Sequence, residues 1–125
     1  MERIATKNAP VAFGPFCQAT VANGLIYTSG AMPFRPADGS LIPGGVGEQT
    51  RQTMENLKSV LEAAGSSMGR ILQITVYLTD MDSFGEMNEV YSTFFDGEYP
   101  ARATLGVSAL AKHAMVEMQA VALVD

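Results

Sequence analysis

The sequence predicts an α+β fold in which two helices cover one face of a mixed β-sheet. Two segments carry apolar residues at helical spacing, and several others alternate apolar and polar residues as strands do. In chain order these segments run β-β-α-β-α-β-β, which is typical of a sheet with its helices packed on one side. The 125 residues, of which 47% are hydrophobic, suit a single domain spanning 1–125.

The two helical segments are the most clearly patterned elements. The first spans 46–64, has Glu48 in its first turn and is followed by Gly65, which is the arrangement that a capped helix favours. The second spans about 82–95, with Asp82 as the predicted N-cap and a broad apolar stripe along its length.

The strand segments are shorter but alternate regularly. Residues 16–21 and 25–30 form a predicted hairpin across an Ala-Asn-Gly turn, and residues 71–79 and 115–124 form two longer strands. A further strand begins at Arg102. In the segment 71–79 the alternation assigns four residues to the face under the helices: Leu72, Ile74, Val76 and Leu78.

The second face of the predicted sheet mixes polar and apolar residues. We assign to it Gln73, Thr75, Tyr77, Arg102, Thr104, Glu117 and Gln119, together with Met115, Val121 and Leu123. Such a face is too apolar to be simply solvated and too polar to be an ordinary core. It is typical of contact with another subunit, so we expect a homo-oligomer.

Charge and composition exclude several classes of protein. The net charge is −5 and the eight lysines and arginines are scattered singly, so a dedicated nucleic-acid binder is not expected. No apolar run approaches the roughly 18 residues of a membrane span, and the N-terminus lacks a secretory signal, so we expect a soluble cytoplasmic protein. One cysteine and one histidine make a poor metal set, and no nucleotide-binding glycine loop occurs; neither a metal nor another cofactor is expected.

Arg102 stands at the start of a predicted strand, where a guanidinium needs water, a carboxylate partner or a ligand. The residues alone leave two interpretations open. The arginine either pairs with Glu117 or with an acid of a neighbouring subunit, or it binds an anionic ligand.

Six segments of the chain, taken in order, carry a family resemblance. They are GPF at 14–16, TSG at 28–30, RQTMENLKSVLEAAG at 51–65, TVYLTDMDSFGEMNEVYSTFF at 75–95, YPAR at 99–102 and VEMQAVA at 116–122. Together they resemble the RidA/YjgF family of reactive-intermediate imine deaminases, also called L-PSP endoribonucleases or translation inhibitors.

The resemblance implies a chorismate-mutase-like fold and a homotrimer whose sheets form an inner barrel, with pockets between subunits. It also implies hydrolysis of short 2-enamine or 2-imino acids to 2-keto acids and ammonia, without a cofactor. Two alternatives remain: a carboxylate-binding trimer with little or no catalysis and, less favoured by the acidic charge, an endoribonuclease or translation inhibitor.

The resemblance also assigns binding residues. Arg102 matches the arginine that binds the substrate carboxylate, for which its two parallel donors are suited. Ser29 and Gly30 match the segment that lines the pocket, where the Gly30 N–H is a candidate donor. Phe16 stands where active members have tyrosine, and Asn88 is interpreted as a structural hydrogen-bonding residue.

Two further positions depart from the family pattern. Thr104 stands where active members have cysteine, and Gln119 stands where we place the family's water-activating glutamate. An amide can hold water but cannot accept its proton. We therefore expect Gln119 and Thr104 to hold the attacking water and hydrolysis to be slow, with Glu117 interpreted as a structural partner of a lysine or arginine.

Overall fold

A computed structural model describes residues 1–124. The elements are β1 Glu2–Ile4, β2 Ala19–Ala22, β3 Leu25–Thr28, α1 Val46–Ala63, β4 Ile71–Leu78, α2 Phe84–Ser92, β5 Ala101–Gly106 and β6 Val116–Leu123. The six strands form one sheet in the order β1-β2-β3-β6-β4-β5, in which the β4–β5 pair is parallel and the other pairs are antiparallel. The α+β class, the mixed sheet and the two helices are as predicted.

The core lies between α1 and one face of the sheet. Met54, Leu57 and Leu61 of α1 are fully buried at the predicted helical spacing. They form one apolar cluster with the inward-facing residues of the central strands, among them Ile74 and Met118. Each such side chain contributes about 1.5–3 kcal/mol through burial. None of the helices in the described residues is both long and apolar enough to span a membrane.

The first strand is an element that the sequence patterns did not predict. It has only three residues and pairs with β2 from Glu2 opposite Val21 to Ile4 opposite Ala19. Ile4 is its one buried side chain. A single buried position shows no alternation, so the strand could not be recognised from periodicity.

The start of β4 corrects the predicted burial of Leu72, which is 46% exposed, whereas Ile71 is buried. A register shift between Ile71 and Gln73 explains the difference. A bulge of this kind adds a residue to one strand and so reverses the face of every side chain before it.

The second helix also begins and ends differently from the prediction. A short 3₁₀ turn, Met81–Ser83, precedes α2, and Asp80 rather than Asp82 caps this turn by accepting a hydrogen bond from the Asp82 N–H at 2.9 Å. The helix then ends at Ser92 rather than at Phe95.

The N-terminus of α1 receives an acceptor from α2. The Glu86 carboxylate accepts a hydrogen bond from the Gly47 N–H at 3.2 Å, and a Cβ on residue 47 would lie 2.8 Å from the same oxygen. The contact satisfies one of the free N–H groups of the first turn and places a negative charge at the positive end of the helix dipole.

We expect Glu86→Ala to lower the free energy of unfolding by about 1 kcal/mol, since it removes a cap and a dipole interaction. Urea denaturation measures the change. Glu89→Ala, on the same helix and also exposed, is the matched control. Equal stability of the two variants would show that the Gly47 contact contributes nothing.

Two buried amides of α1 fix neighbouring segments. Asn56 Nδ2 donates to the carbonyl oxygens of Met32 at 2.8 Å and Phe34 at 2.9 Å. Gln49 Oε1 accepts from the Met115 N–H at 2.8 Å. These bonds hold the segment after β3 and the entry to β6 against the helix.

Candidate functional site

Phe16, Ser29 and Gly30, which were predicted to line a pocket, lie together. They border one cavity of about 50 Å³, whose roof is the N-terminal segment 9–13 together with Phe16. Gln18 anchors this roof segment, because its side chain hydrogen-bonds the Thr6 N–H and the carbonyl oxygens of Thr6 and Pro10.

Ser29 and Gly30 occupy an interruption in the pairing of β3 with β6. Tyr27 pairs with Val121 and Ala31 pairs with Met118, so the β3 side has one residue more than its partner. Thr28 Oγ1 accepts from the Ala120 N–H at 3.0 Å, in place of a backbone carbonyl. The extra residue frees this segment from the ladder and is typical of bulges beside functional sites.

The hydroxyl of Ser29 is already used within the chain. It donates to the Cys17 carbonyl oxygen at 2.6 Å, and the Ser29 N–H donates to the Gln18 carbonyl oxygen at 2.9 Å. By contrast, the Gly30 N–H donates no hydrogen bond within residues 1–124. The free donor of this segment is therefore the backbone of Gly30.

The carboxylate of Glu117 lies directly against Gly30. A Cβ on residue 30 would lie 2.6 Å from Glu117 Cδ and 3.0 Å from Glu117 Cγ, so any larger residue there would displace the Glu117 carboxylate. The carboxylate is half-buried, and its burial raises the pKa of Glu117 above the ordinary value of a glutamate. Among the described residues no cation pairs with it, so the predicted structural role as an ion-pair partner gains no support.

Gln119 is placed differently from Glu117. It is exposed and lies opposite Thr75 on β4, whereas Glu117 lies against Gly30; neither side chain borders the cavity of Phe16, Ser29 and Gly30. Gln119 stands two residues beyond Glu117 on the same face of β6, about 7 Å along the strand. The geometry therefore favours Glu117 over Gln119 as the group that accepts a proton.

Arg102 and Thr104 lie on the opposite face of the sheet from their predicted one. In the parallel pairing of β4 with β5, Arg102 stands beside Ile74 and Thr104 beside Val76, both of which face the helices. Alternation within β5 shows which residues share a face but not which face of the sheet that is. The register with β4 decides the face, and the sequence-based prediction assigned the wrong one. The Thr104 hydroxyl is buried and has no hydrogen-bond partner within the described chain.

The guanidinium of Arg102 lies between two aromatic rings of α2. Its Cζ is 4.7 Å from the ring centroid of Tyr91 and 5.5 Å from that of Phe84. These cation–π contacts hold the guanidinium beside α2. The pairing with Glu117 is excluded within one chain, because that carboxylate lies on the other face of the sheet.

A surface cleft of about 310 Å³ opens beside Arg102. Its lining residues are Asn88, Tyr91, Ser92, Tyr99, Pro100 and Arg102. Burial raises the pKa of the Tyr91 phenol, and the positive charge of Arg102 partly opposes that shift. The sequence placed Phe84 and Tyr91 in the apolar stripe of α2 and gave them no role in the site. In the structure both rings lie beside Arg102, the one arginine in a strand of the last half of the described chain.

The sequence-predicted site is thus divided into two parts. The glutamate half-site consists of Phe16, Ser29, Gly30 and Glu117, and the arginine half-site consists of Asn88, Tyr91 and Arg102. Strand β4 separates Glu117 on β6 from Arg102 on β5, so the two residues stand two strand spacings or about 10 Å apart, with their side chains on opposite faces of the sheet. A single chain therefore does not bring Glu117 and Arg102 to the same ligand.

Comparisons with known proteins place this arrangement in a family. The family model described as Endoribonuclease L-PSP matches residues 6–124. The chain is 43% identical over 120 residues to the 2-iminobutanoate/2-iminopropanoate deaminase of Mus musculus, covering 96% of this chain and 89% of the relative. It is also 43% identical over 121 residues to a RutC family protein of Pyrococcus horikoshii, covering 97% of this chain and 96% of the relative.

Solved structures agree with the sequence relatives. RidA from a Psychrobacter species has a TM-score of 0.95 at 35% identity and covers 99% of this chain and 100% of that one. Escherichia coli TdcF, solved with bound serine, has a TM-score of 0.95 at 38% identity, with 100% of both chains covered. On its sequence, its fold and its relatives, this chain belongs to the RidA/YjgF family.

Proposed function

We propose that this protein hydrolyses short 2-imino acids to 2-keto acids and ammonia at the contact between two chains of a homotrimer. The observation that carries the proposal is the half-buried Glu117 carboxylate, held against Gly30 without a cation of its own chain. It is a candidate base, and Arg102 of another copy is the candidate anchor for the substrate carboxylate beside it. Relatives named as 2-iminobutanoate/2-iminopropanoate deaminases support the same activity.

The chemistry needs one water and no cofactor. In the protonated imine R–C(=NH2⁺)–COO⁻ carbon 2 is electrophilic. Glu117 accepts a proton as water adds to that carbon, and the same proton returns to the nitrogen. The C–N bond of the tetrahedral intermediate then breaks while its hydroxyl proton passes to Glu117, which leaves the keto acid R–CO–COO⁻ and ammonia. Glu117 returns this proton to the ammonia, which departs as ammonium. General-base help of this kind contributes about 10²–10⁴-fold.

The remaining residues bind and orient the substrate. The edge of the Arg102 guanidinium donates two parallel hydrogen bonds to the substrate carboxylate. The Gly30 N–H donates to the same ligand, and Phe16 covers it. Ser29 acts through its backbone, which places Gly30, while Gln119 and Thr104 offer hydrogen bonds to water and no proton transfer.

Assembly is the first expected outcome. The second face of the sheet exposes Tyr27 (49%), Leu105 (45%) and Leu123 (36%), whose apolar surface is suited to a protein contact. Sedimentation equilibrium at micromolar concentration should give three times the 13.3 kDa chain mass. A stable monomer would remove the shared site together with the proposed function.

The activity itself is tested with freshly generated imine. An amino-acid oxidase releases 2-iminobutanoate from 2-aminobutyrate, and loss of the imine is followed by trapping with semicarbazide. The protein is expected to accelerate that loss above the spontaneous rate in proportion to its concentration. An unchanged rate, with 2-ketobutyrate still bound, would favour the alternative of a carboxylate-binding trimer, for which bound serine in TdcF is the supporting observation.

The rate should rise with pH and then level off. Glu117 works as a base only when ionised, and burial raises its pKa, so the midpoint of the rise should lie above the ordinary pKa of a glutamate, about 4.3. Measuring kcat against pH at saturating 2-iminobutanoate tests this. If kcat of Glu117→Gln no longer rises with pH, the rise comes from the Glu117 carboxyl. If kcat of this variant still rises, another group is responsible.

A further inference from the structure

We propose that Thr28 is a positioning residue of the glutamate half-site. Its hydroxyl holds the strand bulge that leaves the Gly30 N–H free and turns residue 30 toward Glu117. Thr28 acts through the backbone and not by contact with the ligand. The inference rests on the proposed function, because a free N–H beside the base serves the reaction only if a substrate is held there.

The register of β3 with β6 shows what the chain would do without the bulge. The Val124 N–H donates to the Gly24 carbonyl oxygen at 2.9 Å, and the residues of β3 that follow pair in the same register. Hydrogen-bonded pairs recur at every second residue of an antiparallel ladder. Continued in this register, the ladder would make Gly30 and Met118 such a pair, and the Gly30 N–H would be bound to the Met118 carbonyl oxygen.

In the structure the bulge gives this place to Ala31. The Ala31 N–H donates to the Met118 carbonyl oxygen at 2.6 Å, and the Met118 N–H donates back at 3.0 Å. The shift by one residue has two consequences. The Gly30 N–H has no partner within residues 1–124, and a Cβ on residue 30 would point at the Glu117 carboxylate, because a shift of one residue reverses the face of a side chain. A regular strand would provide neither feature.

The hydroxyl of Thr28 supplies an acceptor that the bulge takes away from β6. In the regular ladder the Ala120 N–H would bond the Thr28 carbonyl oxygen. In the structure Thr28 Oγ1 accepts from it at 3.0 Å, and Ala120 is only 4% exposed. A buried N–H without an acceptor is strongly unfavourable. Without this hydroxyl the bulge would leave such a donor unpaired, whereas the regular ladder would pair it, so the hydroxyl favours the bulge.

The bulge is attached to the strands on both of its sides. The Ser29 hydroxyl donates to the Cys17 carbonyl oxygen at 2.6 Å, and the Ser29 N–H donates to the Gln18 carbonyl oxygen at 2.9 Å. These bonds fix the bulge to the segment that enters β2. The hydroxyl of Thr28 fixes it to β6, the strand that carries Glu117. Thr28 therefore links the two strands from which the free donor and the base come.

Amide hydrogen exchange, followed by NMR in ligand-free ¹⁵N-labelled protein, tests the bulge directly. Wild type should exchange faster at Gly30 than at Ala31. Thr28→Val keeps the shape of the side chain and removes the acceptor, so the ratio of the two rates should fall about tenfold or more as Gly30 enters the ladder. The ratio is insensitive to overall stability. Thr28→Ser, which keeps the hydroxyl, should retain the wild-type ratio. Thr20→Val is the matched control, since Thr20 is also half-buried and lies on neighbouring β2.

Binding connects the bulge to the site. Calorimetry should show that Thr28→Val weakens 2-ketobutyrate binding about 10–100-fold, the usual effect of losing a hydrogen bond to a charged group, and that Thr28→Ser stays within about threefold of wild type. The same pattern should appear in kcat/KM for 2-iminobutanoate. Sedimentation checks assembly. If Thr28→Val does not assemble, Thr28→Ala gives the same comparison without the second methyl group.

The outcomes separate this inference from the proposed function. If the variants without the hydroxyl keep the wild-type exchange ratio, Thr28 does not hold the bulge and the inference is wrong. If the ratio falls but keto-acid binding equals that of Thr20→Val, the Gly30 N–H does not serve the ligand and the inference is again wrong. If wild type neither binds the keto acid nor hydrolyses the imine, the proposed function fails, and the exchange ratio alone decides whether Thr28 positions Gly30.

Discussion

Glu117→Gln is expected to lower kcat for 2-iminobutanoate by about 10²–10⁴-fold, because the amide keeps the size of the side chain but cannot accept a proton from water. Binding of 2-ketobutyrate should change far less, since the keto acid carries no proton that the base must remove. Single-turnover rates at saturating imine, with the keto-acid dissociation constant measured separately, distinguish lost chemistry from lost binding.

Stability supplies an independent readout of the same residue. Burial raises the pKa of Glu117 in the folded state, so its ionisation opposes folding. The folded protein should lose stability as the pH rises from the ordinary glutamate pKa through the raised one. Glu117→Gln removes this loss and should be at least as stable as wild type at neutral pH, so slow catalysis would not reflect unfolding.

Gln119→Glu is the matched control on the same strand face. The sequence alone placed the water-activating position at residue 119, and a glutamate restored there would then speed hydrolysis. The position of Glu117 against Gly30 predicts little change instead. A large increase in the hydrolysis rate of Gln119→Glu, together with an unchanged rate in Glu117→Gln, would show that residue 119 is the position of the base.

Arg102→Ala is expected to weaken 2-ketobutyrate binding by more than about 100-fold, because removing one member of a buried charge pair typically costs 2–5 kcal/mol. Arg102→Lys should also bind poorly, since an ammonium cannot form the two parallel hydrogen bonds of a guanidinium. Isothermal titration calorimetry measures both. Arg51→Ala, at an exposed position of α1 away from both half-sites, is the control.

The aromatic contacts of Arg102 permit a finer test. Tyr91→Phe keeps the ring 4.7 Å from the guanidinium and should keep most of the binding, whereas Tyr91→Leu removes the cation–π contact and should weaken it. Sedimentation of each variant checks assembly. If both Arg102 variants assemble and bind keto acid like wild type, Arg102 is not the carboxylate anchor.

The sequence by itself determined the class of fold and most of its elements. The buried faces of α1 and β6 follow from periods of 3.6 and 2 residues, which an amphipathic element must show wherever it packs. The turn between β2 and β3 was also predictable from the sequence. Asn23 and Gly24 adopt positive φ angles of 54° and 77°, and an Asn-Gly pair is typical of such turns because few other residues tolerate these angles.

Only the tertiary structure decided how the site is divided. Alternation gives the period of a strand, but its phase depends on the register with a neighbour, and this register placed Arg102 and Thr104 on the helix side. The contact of Glu117 with Gly30 joins residues 87 positions apart across an interrupted strand pair, where no local pattern could show it. Local periodicity is a property of one segment, whereas a site is built from registers between segments, and those are fixed only when the chain packs.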